Sequence, residues 1–138
     1  MEATIQNAES VQRLMRYTYG LVPIVAGLDK FTNILTDWKH YLAPSIISAL
    51  PISSSTLMDI VGVIEIIAGI IVLARPRVGG YIVMAWLAAI ALTLIVGGQY
   101  YDVAVRDLVM AVGAFSLARL SMARVNVQYT GLTNPATI

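Results

Sequence analysis

The chain holds no cysteine, a single histidine and two phenylalanines in 138 residues, and only 12% of it is charged. Without cysteine there are no disulfides, no thiol nucleophile, no Cys-ligated zinc and no iron–sulfur cluster. One histidine, His40, excludes haem held by two imidazoles and any two-histidine metal centre, and in a polar loop it reads as an interfacial side chain. Ordinary soluble domains carry about a quarter charged residues. Nine Lys and Arg with eight Asp and Glu cannot cover the surface of a water-soluble domain of this length. A net charge of +1 gives no basic stripe for nucleic acid. Ser53, Ser54 and Ser55 have no histidine base at a recognisable spacing, so a hydrolase triad has no support. The glycine pairs Gly79-Gly80 and Gly97-Gly98 read as turn or packing glycines, not as a phosphate-cradling loop. The methionines are scattered at core-like positions and suggest no copper site.

What the chain has is apolar length: 58% of its residues are hydrophobic. Four stretches are long enough to cross a bilayer, near 11–35, 57–74, 78–98 and 102–120, where a span needs about 20 residues. The third is uncharged throughout. The first is the least apolar, with Arg13 and Arg16 before its core, Asp29 and Lys30 after it, and Pro23 as an expected kink. The expected architecture is an all-α, up-down integral membrane four-helix bundle over 11–125. A polar tail over 1–10 precedes it and a loosely ordered tail over 126–138 follows. Before Arg13 the N-terminus carries Glu2 and Glu9 but no basic residue, unlike a cleaved signal peptide, so the first span is expected to serve as its own targeting signal.

Basic residues set the orientation. Arg13, Arg16, Arg75, Arg77, Arg119 and Arg124 fall on the side of the termini, against Lys30, Lys39 and Arg106 on the other, which puts both termini in the cytoplasm. Tight turns at Arg75-Pro76-Arg77 and Gly97-Gly98-Gln99 make spans two, three and four antiparallel neighbours. The long segment from 36 to 56 reads as an outer cap with a short interfacial helix over 46–50, and Ser53 to Thr56 as the N-terminal cap region of span two.

Charges inside the apolar stretches mark the candidate site: Asp29 and Lys30 in span one, Glu65 in span two, Arg106 and Asp107 in span four. Alternating directions bring all five into one half of the bilayer. Gly62, Glu65 and Gly69 share one face of a helix, so Glu65 is expected to point into the bundle. Arg106, Met110 and Gly113 form a second expected inward stripe, and Asp102 stands one turn before Arg106 as a local partner. Lys30 and Arg106 are the candidate counter-ions for Glu65 and Asp29. A purely structural ion pair that fixes helix register is the competing reading of this cluster.

Gly27-Leu28-Asp29-Lys30-Phe31 followed by a Trp38–Tyr41 loop, the glycine–glutamate–glycine helix with Gly62, Glu65 and Gly69, and the Asp102 to Leu120 helix with Arg106 together resemble the DoxX family of small four-span bacterial membrane proteins. The resemblance covers 17–120 and implies a four-helix bundle in the bacterial inner membrane. It also implies association with redox enzymes, one relative being the membrane subunit of a thiosulfate:quinone oxidoreductase and others belonging to oxidative-stress complexes. It carries the family's polar positions onto Lys30, Glu65 and Arg106. With no cysteine, sulfur transfer has no thiol to carry it here.

Three functions compete. The first is an accessory subunit of a respiratory or redox-linked membrane complex, without catalysis of its own and surrounded by lipid and other membrane subunits. The second is a quinone-interacting subunit, with Arg106, Glu65 and Lys30 as donor and proton acceptor beside an apolar cleft and Trp38 or Tyr101 flanking the ring. The third is a small transporter, for which Pro23 offers one helix break but no repeat accompanies it.

Overall fold

A computed structural model describes residues 1–133 of the chain. Five α-helices and one 3₁₀ turn follow in order: α1 (Glu2–Thr32), the turn Trp38–Tyr41, α2 (Pro44–Ala49), α3 (Ser54–Ala74), α4 (Pro76–Val96) and α5 (Tyr101–Thr133). No strand is present among the described residues.

Each boundary has a local cause. α1 ends where Asn33 takes a left-handed conformation at φ 51°, a backbone that asparagine tolerates better than most residues. Pro44 opens α2 and Pro76 opens α4, where a missing backbone N–H costs nothing. Ser53 caps α3, its Oγ accepting from Thr56 N at 3.2 Å, within the serine-rich run expected to do so. Arg75 alone connects α3 to α4. The α4–α5 turn passes through Gly98 at φ 70° and Tyr100 at φ 57°. The Tyr100 position is unusual for an aromatic residue, and its ring is held against Tyr41 at a centroid distance of 4.8 Å.

Two helix pairs build the bundle: α1 lies along α3, α4 lies along α5, and α3 with α4 joins them. The α1–α3 crossing is close because glycines face each other. A Cβ on Gly27 would sit 2.5 Å from Gly62 O, one on Gly62 would sit 2.7 Å from Gly27 O, and Gly20 meets Gly69 in the same way. Inside, the residues are mostly small. Ala68, Val72, Val83, Ala114 and Leu117 form one buried cluster, and Ala91, Leu94 and Ala104 another. Outside, they are large and apolar: Ile60, Ile67 and Ile70 on α3, Leu92 and Ile95 on α4, Val105, Val109 and Val112 on α5, all exposed. A water-soluble bundle has the reverse distribution. Small residues inside and aliphatic chains outside suit a hydrocarbon solvent. Three helices are long and apolar enough to cross a membrane: α3, α4 and α5 from Tyr101 to Asn126. The less apolar α1 is not among them.

Two expected tails differ from the structure. α1 begins at Glu2, so residues 2–10 are helical rather than a separate tail. α5 runs on to Thr133, and the rest of the expected C-terminal tail, 134–138, lies outside the described residues. The two helices support each other beyond the expected spans. Buried Gln12 donates to Ser121 Oγ at 3.0 Å, and Arg124 reaches Gln12 Oε1 at 3.4 Å and Glu9 at 3.8 Å, contacts that join α1 near 9–12 to α5 near 121–124.

Candidate functional site

Lys30 sits in the last turn of α1 and Glu65 in the middle of α3, and the Gly27–Gly62 contact brings their backbones within reach of each other. Lys30 Nζ donates to Glu65 Oε2 at 2.6 Å, and both side chains are almost wholly buried. The second Glu65 oxygen, Oε1, accepts from Trp86 Nε1 of α4 at 3.4 Å. The ammonium also lies 3.8 Å from the centroid of the Trp38 ring, a cation–π contact worth about 2 kcal/mol when desolvated. Three helices and the outer turn thus converge on one ion pair.

Asp107 comes from the fourth side. It is 7% exposed and interacts electrostatically with both Glu65 and Lys30. Its carboxylate accepts no hydrogen bond from any described residue, unlike Glu65. The cluster therefore contains one cationic group and two carboxyl groups.

Asp29 is buried beside Lys30 yet faces the other way along the chain. Its Oδ1 accepts from Ile34 N at 2.9 Å, Leu35 N at 3.0 Å and Thr32 Oγ1 at 3.2 Å, and its Oδ2 accepts from Trp38 Nε1 at 2.7 Å. It ties off the end of α1 and fixes the indole that covers Lys30. Tyr41 packs on Trp38 at 6.2 Å and on Tyr100, so three aromatic rings close this end of the bundle over the ion pair.

Arg106 is not part of the cluster. Its side chain is 73% exposed and meets only Asp102, at 3.4 Å, an exposed pair of small energetic weight. Met110, in the same expected stripe, is exposed as well. The packed face of α5 is instead Ala104, Asp107, Ala111, Ala114, Ala118 and Ser121, spaced three and four residues apart. Of the five expected site residues, the structure pairs Lys30 with Glu65, buries Asp107 on the packed face of α5, places Asp29 next to Lys30 as the organiser of the cap, and turns Arg106 outward.

Trp86 is the member that sequence reasoning did not single out. It lies in the uncharged third span, and only its indole N–H, a donor that needs a partner once buried, hinted at a polar neighbour. The alanine stripe of α5 was the readable signal for Asp107.

The larger hollow, about 280 Å³, is a shallow apolar groove along Asp59, Ile60, Val63 and Ile64. The second, about 120 Å³, lies between α1 and α5 beside Glu9, Gln12 and Arg124. Comparison with family models, with curated proteins and with solved structures gives no match to the chain.

Proposed function

We propose that the chain is a DoxX-like integral membrane protein that crosses the bacterial inner membrane four times, with both termini cytoplasmic. In this reading it serves as an accessory, non-catalytic subunit of a redox-linked membrane complex. The fourth crossing is α1. It lies along α3 through the paired glycines, and its far side presents Leu21, Val22, Val25 and Leu28, all exposed and suited to lipid. The six arginines at the end of the α3–α4 turn support the orientation.

The observation that carries the accessory role is the inward closure of the polar groups. Glu65 is bonded to Lys30 and Trp86, and Lys30 is covered by Trp38. Such a pair locks α1 to α3 and yields a rigid membrane block with broad apolar flanks for neighbouring subunits. Gentle detergent extraction from native membranes, followed by native mass measurement, tests this. Copurifying membrane subunits are expected; a stable lone monomer or homodimer with no partner would overturn it.

One observation favours a second reading, in which the chain contributes to quinone binding. Asp107 is a buried carboxyl group on the packed face of α5, and a quinone head group needs polar partners beside apolar surface. Quinol turnover in the reconstituted complex decides. The reading requires Glu65→Gln and Asp107→Asn to lower turnover or weaken quinone affinity, and fails if both leave them unchanged.

A further inference from the structure

We propose that Arg77 and Arg119 clamp the phosphate of an anionic phospholipid on the outside of the α4–α5 seam. The proposal rests on the membrane reading above and names a lipid that this end of the bundle selects. Contacts across the seam fix the register. A Cβ on Gly80 would meet Ala114 O at 2.8 Å and the Ala118 Cβ at 2.9 Å. α4 and α5 run in opposite directions, so three residues back from Gly80 and three on from the midpoint of that alanine pair reach Arg77 and Arg119 at one level. Faces agree with levels. Tyr81 packs edge-on against Phe115 at 6.2 Å and donates to Met122 Sδ at 3.7 Å. Arg77 stands one turn before Tyr81, and Arg119 lies between Phe115 and Met122, four residues after the one and three before the other. Both arginines flank the same aromatic contact, and both are exposed.

Neither guanidinium makes a hydrogen bond or ion pair with any described residue. No carboxylate of the described residues is placed to supply one. α4 has no Asp or Glu. On α5, Asp107 is the nearer of two and lies 12 residues before Arg119, about 18 Å along the axis. On α1, Glu9 takes Arg124 at 3.8 Å, and Glu2 lies farther out at the first residue of the helix. On α3, Glu65 is bonded to Lys30 and Trp86, and Asp59 lies nearer the opposite end. Two like charges at one level repel, and an anion between them converts that repulsion into attraction.

Depth and chemistry identify the anion. Arg77 is the second residue of a 21-residue apolar helix about 31 Å long, so both guanidiniums stand at the edge of the hydrocarbon layer, the depth of lipid phosphates. Further into that layer on the face of Arg119, Phe115 and Val112 are exposed one and two turns away, a track for acyl chains. Guanidinium forks grip phosphate oxygens through paired N–H donors. A zwitterionic headgroup brings its own ammonium beside these two cations, whereas the glycerol of an anionic headgroup does not. A soluble phosphate lacks the chains that the aliphatic face would cover.

Titration of the full chain in micelles with phosphatidylglycerol and, separately, with phosphatidylcholine, read by native mass measurement, tests the clamp. The native chain is expected to hold phosphatidylglycerol in preference to phosphatidylcholine. Each of Arg77→Gln and Arg119→Gln should lower that preference about fivefold, the worth of one arginine at an anionic surface. Arg13→Gln, which removes an exposed charge of α1, should leave it unchanged. No preference in the native chain, or an equal loss in Arg13→Gln, overturns the proposal. Excess glycerol phosphate should leave the lipid bound; displacement would make free phosphate the ligand and overturn the lipid assignment. Alkaline extraction of native membranes separates the two levels of the argument. Release of the chain counts against the membrane reading, while retention without lipid preference removes the clamp alone.

Discussion

At the scale of single residues, the decisive feature is the buried pair of Lys30 and Glu65. Removing one partner of a buried pair costs about 3–5 kcal/mol when the other is left uncompensated. Lys30→Met leaves the buried Glu65 carboxylate without its cation, so it is expected to cost about that much. Glu65→Gln should cost less, because the Lys30 ammonium keeps its contact with the Trp38 ring. Unfolding of both variants in detergent micelles measures the difference; equal losses would show that the ring contact does not compensate. Asp29 has a different task. Asp29→Ala frees two backbone N–H groups and the Trp38 indole. With Trp86 replaced by Phe, the fluorescence of Trp38 should shift to the red and become open to aqueous quenchers. Lys30 and Glu65 were legible in the sequence because charge interrupts an apolar run only under constraint. Arg106 misled because Gly113, seven residues on, was read as an inward marker. A glycine allows close approach but does not say which side approaches, and here alanines at 104, 111, 114 and 118 line the packed face.

At the scale of helices, the glycine crossing of α1 and α3 sets the distance at which Lys30 meets Glu65. A methyl group at Gly27 would collide with the Gly62 carbonyl, a backbone atom that moves only if the whole helix moves. Gly27→Ala is therefore expected to cost about 1–3 kcal/mol, as overpacking does. It should also lengthen the Lys30–Glu65 contact, which a lower midpoint of unfolding and loss of the Lys30→Met penalty in the double variant would register. The spans at 57–74 and 78–98 were readable to within a few residues, since apolar runs and proline or serine boundaries are local signals. The ends of α1 and α5 were not. Residues 2–10 and 121–133 are polar or mixed, and the contacts nearest them, as Gln12 with Ser121, cross the molecule, which no local pattern reports.

At the scale of the whole molecule, helix lengths are unequal. α3 and α4 have 21 residues each, about 31 Å, which matches the hydrocarbon layer, while α1 with 31 and α5 with 33 exceed it by about 15 Å or more. Arg16 bonds the Leu73 carbonyl and so marks on α1 the level at which α3 ends. Beyond it the two long helices continue side by side toward the side of the termini. A chain without native cysteine permits a direct test of this arrangement. In intact cells a membrane-impermeant maleimide should label Lys39→Cys, and should label Glu2→Cys and Arg77→Cys only after permeabilisation. Labelling of Glu2→Cys without permeabilisation, with Arg77→Cys still protected, would mean that α1 does not cross and that the chain has three spans.

Arg75, standing alone between α3 and α4, also governs how the molecule is made. A one-residue connection gives the two helices no slack, so they form a hairpin that holds Glu65 beside Trp86 as soon as both exist. α1 has been synthesised by then, and its ammonium must wait for a carboxylate encoded 35 codons later. Until then Lys30 has only the Trp38 ring, eight residues on, as a neighbour for its charge.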